Sequence, residues 1–291
     1  MKSAWWAVAG FGAWATAALA LEPFSLAPLH TRPAGIVGDG QAELTFGVSY
    51  LRDERFPFFT TPAALRSQDR VHVPQVAARF GIGGRVEIEA QHELIYLDET
   101  TAQGQRNWQY GTGDARLHTK VRVWDHRGDL PAFSVRFGTK LPNASRTDRL
   151  GTDQTDFDLL ALVSKDLGAI SFHSNLGIWL LGNPGSSPVP GQFDATGQDD
   201  LFVYSFAVVT RPVPVSPFPG RELGILGEIN GLTGSRFGNG RTRAVAGLQI
   251  GQSSWQWYLG ASAGLDTASE NIGVFTGLSY RFDLGSILPN H

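Results

Sequence analysis

Polar and apolar side chains alternate along short segments of this chain, most clearly between Asp114 and Val123. One set of alternate positions there holds only ionisable side chains: Asp114, Arg116, His118, Lys120 and Arg122. The intervening set is mostly apolar: Ala115, Leu117, Thr119, Val121 and Val123. A period of two residues is typical of a β-strand, in which successive side chains point to opposite faces. The segment is therefore predicted to be a strand with one charged face and one apolar face.

The same alternation recurs between turn signals along most of the chain and predicts about twelve strands. The predicted strands cover residues 41–52, 71–82, 85–97, 114–122, 132–141, 155–165, 169–181, 200–211, 221–230, 241–251, 255–265 and 271–282. Long connections follow the first, third and fifth strands, whereas the second ends in the tight turn Gly83-Gly84. Short turns, long loops and an even strand number are typical of outer-membrane barrels. We therefore expect an all-β fold, a transmembrane antiparallel up-and-down β-barrel whose charged faces line a wet lumen.

The N-terminus has the pattern of an export signal. MKSAWWAVAGFGAWATAALA carries one charge at Lys2, then an apolar run, and ends in Ala18-Leu19-Ala20. This predicts a cleaved signal peptide, with an N-terminal membrane anchor as the alternative. No later apolar run is long enough for a transmembrane helix. The predicted organisation is a signal peptide at 1–20, a periplasmic lead-in at 21–40, the barrel at 41–282 and a C-terminal tail at 283–291.

The composition narrows the possible chemistry. The chain of 291 residues has no cysteine, which excludes thiolate catalysis, iron–sulfur clusters and cysteine-based zinc sites. Its net charge of −3 gives no sign of nucleic-acid binding. The sequence also lacks metal-ligand spacing, a phosphate-binding loop and a nucleophile elbow. We expect no cofactor, no metal site and no enzymatic activity.

The inward faces of neighbouring predicted strands carry opposite charges. The third strand offers Glu87, Glu89 and Glu93, and the fourth faces them with Arg116, His118, Lys120 and Arg122. The fifth and sixth strands add Arg136, Lys140, Asp156 and Asp158. Two interpretations stay open, a selectivity ladder that lines a conduit or a charge network that plugs and stiffens a narrow barrel. Asp156 and Asp158 are expected to form ion pairs with Arg136 and Lys140 rather than to act as an acid–base pair.

A hydrolase is a third alternative. His118 and His173 are the histidines that the alternation places most clearly in the lumen, and Ser171 shares a strand face with His173. Barrel lipases of the outer membrane use a Ser–His pair, but theirs lies on the lipid-facing side near the rim, where the substrate is. The inward phase of His173 therefore argues against this reading.

Aromatic side chains gather at predicted strand ends: Tyr96, Trp255, Trp257, Tyr280 and Phe282. They are expected to form the girdles that anchor a barrel at the membrane interfaces. The last strand ends in an aromatic residue, which resembles the recognition signal of the barrel-assembly machinery. The apolar run Phe56-Pro57-Phe58-Phe59 in the first long loop either contacts hydrophobic solutes at the barrel mouth or packs the loop.

Two stretches resemble a known outer-membrane family, labelled the MetA-pathway of phenol degradation proteins. YGTGDARLHTKVRV resembles the family's G-x-G-D entry into a charged alternating strand. FGTKLPNASRTDRLGTDQTDFDLLALVSKDLGAISFHSNLGIWL is similar to its central block of G-x-K-L-P, G-T-x-x-x-D-F, S-K-x-L-G and H-x-N-L-G elements. The matching residues are Gly138, Lys140, Leu141, Pro142, Gly151, Thr152, Asp156, Phe157, Ser164, Lys165, Leu167, Gly168, His173, Asn175, Leu176 and Gly177. Asn143-Ala144 stands where the family often has Thr-Gly. The resemblance implies a β-barrel with a role in the passage of aromatic or other hydrophobic compounds.

The expected function is that of a passive channel for small molecules in a bacterial-type outer membrane, with aromatic or hydrophobic compounds among the candidate solutes. A plugged structural barrel without transport and an outer-membrane lipid hydrolase are the alternatives. The expected partners are outer-membrane lipids, the barrel-assembly machinery and a small-molecule solute, and no nucleic acid.

Overall fold

The computed structural model describes residues 30–54, 65–182, 200–210, 213–214, 221–233, 240–267 and 269–286. The described residues form fourteen β-strands and one 3₁₀ turn (Leu284–Ser286). The strands are β1 (Gln41–Arg52), β2 (Leu65–Ile82), β3 (Val86–Thr101), β4 (Arg106–Thr112), β5 (Ala115–Trp124), β6 (Ala132–Leu141), β7 (Asp156–Asp166), β8 (Ile170–Leu180), β9 (Asp200–Thr210), β10 (Val213–Pro214), β11 (Glu222–Leu232), β12 (Arg241–Gln252), β13 (Trp255–Gly264) and β14 (Ile272–Asp283). Among the described residues, no helix is long and apolar enough to cross a membrane.

The strands close into one antiparallel barrel in which sequence neighbours are also spatial neighbours. The ring is completed by β1, which pairs with β14 from Gln41 opposite Asp283 to Arg52 opposite Ile272. Both β4 and β5 pair with β3, so together they act as one interrupted strand. The two-residue β10 pairs only with the start of β11. With β4 and β5 counted as one and β10 set aside, the barrel has twelve strands, and the predicted fold is confirmed.

The two ends of the barrel differ. At the near end, where β1 begins, β2 and β3 are joined by a tight turn in which Gly83 and Gly84 have φ of 58° and 64°. Both values lie in the left-handed region that glycine adopts readily, as two-residue hairpin turns require. At the far end, where β1 ends, β6 and β7 are joined by residues 142–155, here named the mouth loop.

Two strands were not predicted, the two-residue β10 and the longer β4. The segment 98–113 was expected to be a loop, but β3 continues to Thr101 and β4 follows it from Arg106. β2 also starts earlier than expected, at Leu65, and pairs with this extension of β3. These strands project at the far end, where polar side chains on both faces hide the period-two signal. One such pair is Asp98 and Arg106, which form an exposed salt bridge across the hairpin.

Apolar side chains cover the outside of the barrel. Phe46, Ile88, Leu117, Phe137 and Leu159 lie on five different strands, and each is between 41% and 53% exposed. In a soluble protein such a surface would be costly, whereas in a bilayer it faces hydrocarbon. The outward phase predicted from the alternation therefore agrees with the structure.

Aromatic pairs mark both ends of this apolar surface. Tyr96 stacks on Trp108 at the far end, with ring centroids 6.2 Å apart. Tyr280 stacks on Phe282 at the near end, at 6.1 Å. Amphipathic rings at these two levels suit the interfaces of a membrane. The predicted signal peptide (1–20) and the Phe56–Phe59 run lie outside the described residues.

Candidate functional site

The inward faces of β3 and β5 meet in the barrel interior. The register sets Glu87 opposite Lys120 and Glu89 opposite His118. Lys120 Nζ lies 2.9 Å from Glu87 Oε1, and the two side chains are 4% and 2% exposed. Two charges buried this deeply are tolerated only as a pair, so this contact ties the two strands together.

The other predicted ladder residues have different neighbours. Glu93 lies beyond the last β3–β5 pair and bonds instead to His72 Nδ1 on β2, at 2.8 Å. Arg122, at the near end of β5, reaches Asp125 at 2.8 Å and the Gly84 carbonyl. The interruption between β4 and β5 causes the first difference, because β5 does not extend far enough to face Glu93.

Arg116 faces the lumen, where its charge acts on the carboxylates of Glu93 and Asp158 without a direct ion pair among the described residues. Its neighbours in register are Gln91 on β3 and Lys140 on β6, neither of which is acidic. Within the part of the chain that the structure describes, its guanidinium makes no hydrogen bond and no ion pair. Arg116 lines the central cavity of the barrel, where its donors are open to a solute or to water.

His118 reaches across a whole strand. It lies in register with Gly138 on β6, and Gly138 lies in register with Asp158 on β7. His118 Nε2 is 2.9 Å from Asp158 Oδ2. A Cβ added at Gly138 would lie 2.1 Å from His118 Cδ2, so only glycine leaves room for the imidazole.

Arg136 and Lys140 pair with the two aspartates of β7. Arg136 Nη1 lies 3.4 Å from Asp158 Oδ1, and Lys140 Nζ lies 3.1 Å from Asp156 Oδ2. Lys140 also contacts Asp114 Oδ2 at 2.8 Å. Each aspartate therefore has a cationic neighbour, as a structural ion pair requires.

Lys140 and Asp114 also hold the mouth loop. Lys140 Nζ donates to Thr152 Oγ1 at 2.5 Å and to the Gln154 carbonyl at 2.8 Å. Asp114 Oδ1 accepts from the Ala144 backbone N–H at 3.0 Å. These bonds draw both ends of the loop into the barrel at its far end.

Two residues of the mouth loop, Ala144 and Leu150, are buried against the inner face of β3. Ala144 and Leu150 form an apolar cluster with Ile95 and Leu97. Arg149 Nη1 adds a contact of 2.8 Å with Glu99. The loop therefore narrows the far end of the lumen.

Residues 30–38, here named the strap, lie inside the barrel and cross its lumen. Glu228 on β11 accepts from the backbone N–H groups of His30 (3.1 Å) and Thr31 (2.8 Å). Asn175 on β8 exchanges two hydrogen bonds of 2.7 Å with the backbone of Arg32. Val37 N–H donates to Glu87 Oε2 on β3 at 2.8 Å. The strap is thus held from several sides of the barrel.

The centre of the strap is hydrogen-bonded to two serines of the barrel wall. Ala34 N–H donates to Ser164 Oγ on β7 at 2.8 Å, and Ser134 Oγ on β6 donates to the Ala34 carbonyl at 2.6 Å. Gly81 on β2 lets the strap lie directly on the wall, because an added Cβ there would be 2.2 Å from the Val37 carbonyl oxygen. The described part of the segment predicted as a periplasmic lead-in therefore occupies the lumen, a placement that the sequence analysis did not anticipate.

The strap contacts were missed because each joins residues far apart in the sequence. One local signal was available for Glu228, which is the only charged residue inside the apolar run LGILGEINGL and lies on its inward face. A buried lone carboxylate needs a partner. Its partners include the backbone N–H groups of His30 and Thr31 and the hydroxyl of Thr31.

The serine and histidine considered for hydrolysis do not meet. Ser171 Oγ donates to Asp166 Oδ1 at 2.5 Å. His173 Nδ1 lies instead 2.8 Å from Ser164 Oγ, the same oxygen that accepts the Ala34 N–H. The Ser–His contact in the structure is therefore covered by the strap.

Between the strap and the mouth loop lies a cavity of about 660 Å³. His30 and Arg32 bound it on the strap side, and Leu150 and Thr152 bound it on the loop side. Its wall is formed by inward side chains of most strands and is rich in charged groups. A cavity of this size is large enough for a small organic molecule.

Comparison with known proteins places this architecture among outer-membrane barrels. An outer-membrane channel from Pseudomonas putida F1 matches with a TM-score of 0.62 and 12% identity, over 89% of this chain and 100% of that one. The β-domain of the Bordetella autotransporter Brka matches with a TM-score of 0.53 and 12% identity, over 84% and 100%. No protein-family model and no curated protein sequence matches the chain. The likeness is therefore one of fold.

Proposed function

We propose that this protein is an outer-membrane channel for small molecules and that the strap closes its lumen. The observation that carries the proposal is the charged cavity inside a closed barrel with an apolar outer surface. A barrel that served only as a scaffold could fill its interior with side chains, whereas this one keeps about 660 Å³ free. The similarity in fold to a bacterial outer-membrane channel supports this assignment.

The proposal includes location and partners. The cleaved signal at 1–20 directs the chain to the periplasm, the assembly machinery inserts it, and outer-membrane lipids surround it. In this orientation the near end faces the periplasm, because outer-membrane barrels have short periplasmic turns. The precursor is expected to lose about 20 residues and the mature barrel to shift on gels when heated. Recovery of the mature protein from the soluble periplasm would contradict the location.

The solute class suggested by the resemblance, aromatic or other hydrophobic compounds, remains part of the proposal. Phe275 and Tyr258 line the cavity and offer apolar surface to a ring. Transport, rather than catalysis, is the role that the interior supports, since the Ser164–His173 contact is covered by Ala34. Release of fatty acid from phospholipid by the purified barrel would favour the hydrolase alternative.

A plugged structural barrel is the second candidate, and the strap favours it. The strap is hydrogen-bonded to buried side chains on β3, β6, β8 and β11 and to the half-buried Ser164 on β7, so five strands of the wall hold it in place. The two candidates differ in whether the strap leaves its position. In a channel it must move, whereas in a plugged barrel it stays.

A reversible cross-link separates the two. The chain has no cysteine, so Ala34→Cys combined with Ser134→Cys introduces one possible disulfide between contacting positions. Conductance is measured in planar bilayers before and after reduction, with the two single variants as controls. A channel gated by the strap conducts only after reduction. Equal conductance in the oxidised and reduced states would show that the strap is not the gate, and absence of conductance in both states and in the wild type would favour the plugged barrel.

A further inference from the structure

Two arginines share one glutamate in the middle of the barrel. Arg32 Nη2 of the strap lies 3.0 Å from Glu89 Oε1, and Arg136 Nη2 of β6 lies 3.6 Å from the same oxygen. Glu89 and Arg136 are both buried, whereas the Arg32 side chain is 31% exposed, so Arg32 is the more accessible of the two guanidinium groups. One carboxylate cannot use the donors of two guanidinium groups, each of which has five N–H bonds. Arg136 also pairs with Asp158 at 3.4 Å, so two guanidinium groups and two carboxylates meet at this level.

The same arrangement occurs at the near end. Glu43 on β1 forms salt bridges with Arg79 on β2 and with Arg281 on β14, the latter at 2.9 Å. Glu43 is 1% exposed and lies behind the arginines. Because β1, β2 and β14 are adjacent, this second group lines the wall just inside the barrel.

A third group lies at the far end. Glu54, which follows β1, lies 3.1 Å from Arg70 Nε and 3.8 Å from Arg241 Nη1. Burial acts to raise the pKa of Glu54, but the charges of Arg70, His72 and Arg241 outweigh it and lower the pKa, so this carboxyl is ionised at neutral pH. Arginine pairs that share a glutamate thus occur at three levels along the barrel.

Five of these six arginines line the central cavity, as does Arg116, which forms no ion pair with the described residues. Of the three shared glutamates, Glu54 lines the cavity, whereas Glu43 and Glu89 do not. Over the described lining, eight lysine and arginine side chains face five acidic ones. A solute in the cavity therefore meets more guanidinium donors than carboxylates. Guanidinium groups bind carboxylates with two parallel hydrogen bonds.

We propose that the cavity selects small organic anions and that it recognises their carboxylate through these arginines. The inference rests on the proposed channel function and specifies its solute class. The carboxylate of a solute has the same two oxygen atoms as the glutamate that each arginine pair shares. The solute can therefore move from one arginine pair to the next and form charge-assisted hydrogen bonds at each of them. Rings of basic side chains are the usual means of anion preference in pores.

The first experiment measures selectivity. Reversal potentials under a KCl gradient are recorded for the wild type, Arg116→Gln and the control Arg122→Gln, whose side chain lies outside the cavity lining. The wild type and the control are expected to prefer chloride, and Arg116→Gln is expected to lose at least part of that preference. Preference for potassium in the wild type would overturn the anion proposal and leave the channel function standing.

The second experiment does not need conduction. Binding of benzoate, benzyl alcohol and benzylammonium to the folded barrel is compared by calorimetry. Benzoate is expected to bind most tightly of the three. Arg116→Gln is expected to lower the affinity for benzoate about tenfold, which corresponds to the loss of one charge-assisted hydrogen bond. Equal binding of the three probes, or no binding of benzoate, would overturn the proposal. Benzoate binding in a barrel that never conducts would keep the anion site and reject the channel.

Discussion

Thr31 binds the carboxylate of Glu228 twice, through its backbone N–H at 2.8 Å and through its hydroxyl at 3.0 Å. The two residues are 197 positions apart, and both are buried in the lumen. The contact joins the strap to the wall opposite β3, so the strap crosses the lumen instead of lying along one side. If the barrel is the channel proposed above, its conductance is expected to depend on the stability of this crossing.

Glu228→Ala is expected to release the strap at its N-terminal end. Hydrogen bonds to a charged group contribute about 1.5–3 kcal/mol each, so loss of the carboxylate removes most of the local docking energy. Amide hydrogen exchange at Thr31 and Arg32 should accelerate, and channel openings should become more frequent. Glu222→Ala, on the same strand but without a contact to the strap, is the matched control. Unchanged exchange in Glu228→Ala would mean that the strap is held elsewhere.

Gly81→Ala tests the docking of the other end of the strap. A Cβ at this position would lie 2.1 Å from the Gly38 carbonyl oxygen and 2.2 Å from that of Val37, so the backbone must shift. The Val37–Glu87 hydrogen bond should weaken, which faster exchange of the Val37 amide would report. Gly227→Ala is the control, because an added Cβ there meets nothing within 4 Å. If the two variants behave alike, the close approach at Gly81 has no role in docking.

Leu159 and Leu160 test the assignment of inside and outside. They are adjacent on β7, Leu159 is 47% exposed on the outer surface and Leu160 lines the cavity. Leu159→Arg places a charge in hydrocarbon at a cost of about 2–4 kcal/mol near the centre of the bilayer. Leu160→Arg places it in the lumen, beside Asp158 and opposite Arg136 on β6, and should cost less than a charge in hydrocarbon. Urea unfolding in lipid vesicles measures both, and equal destabilisation would contradict the assignment.

Docking of the strap should weaken at acidic pH. Arg243 Nη2 lies 3.3 Å from His30 Nδ1, which accepts its hydrogen bond only while the imidazole is neutral. Burial, together with Arg243 and Arg32, holds the pKa of His30 well below its usual value. When the strap is released, the imidazole of His30 regains its usual pKa of about 6.5. As the pH falls through that value, only the released state takes up a proton, and docking is weakened.

Protection factors of the strap amides should therefore be high at pH 7.5 and fall toward pH 5. In His30→Gln, which stays neutral at both values, the fall should be much smaller. The same fall in this variant would assign the pH dependence to another group.

The comparison of sequence and structure shows which properties are local. The inward and outward faces of β3, β5, β6 and β7 followed from their own residues, because a period of two assigns alternate side chains to opposite faces whatever the neighbouring strand is. The ends of β1 and β6 and the tight turn at Gly83-Gly84 are equally local and were predicted. The alternation predicted that Glu87 and Lys120 point inward. Their pairing then followed from the expectation that the two strands are neighbours.

The tertiary structure decided the contacts that depend on distant segments. Glu93 forms a hydrogen bond with His72 because β5 begins too late in the chain to lie opposite Glu93. The sequence pattern within β3 does not show this. In sequence, the Pro- and Gly-containing segment before β1 looks like a linker. The residues that form hydrogen bonds with it lie about 50 to 200 positions away, so the local sequence does not reveal them. The alternation of polar and apolar residues therefore determined the wall of the barrel. The position of the strap inside the barrel was decided by closure of the ring, because only the closed ring brings Glu228, Asn175 and Glu87 around one segment.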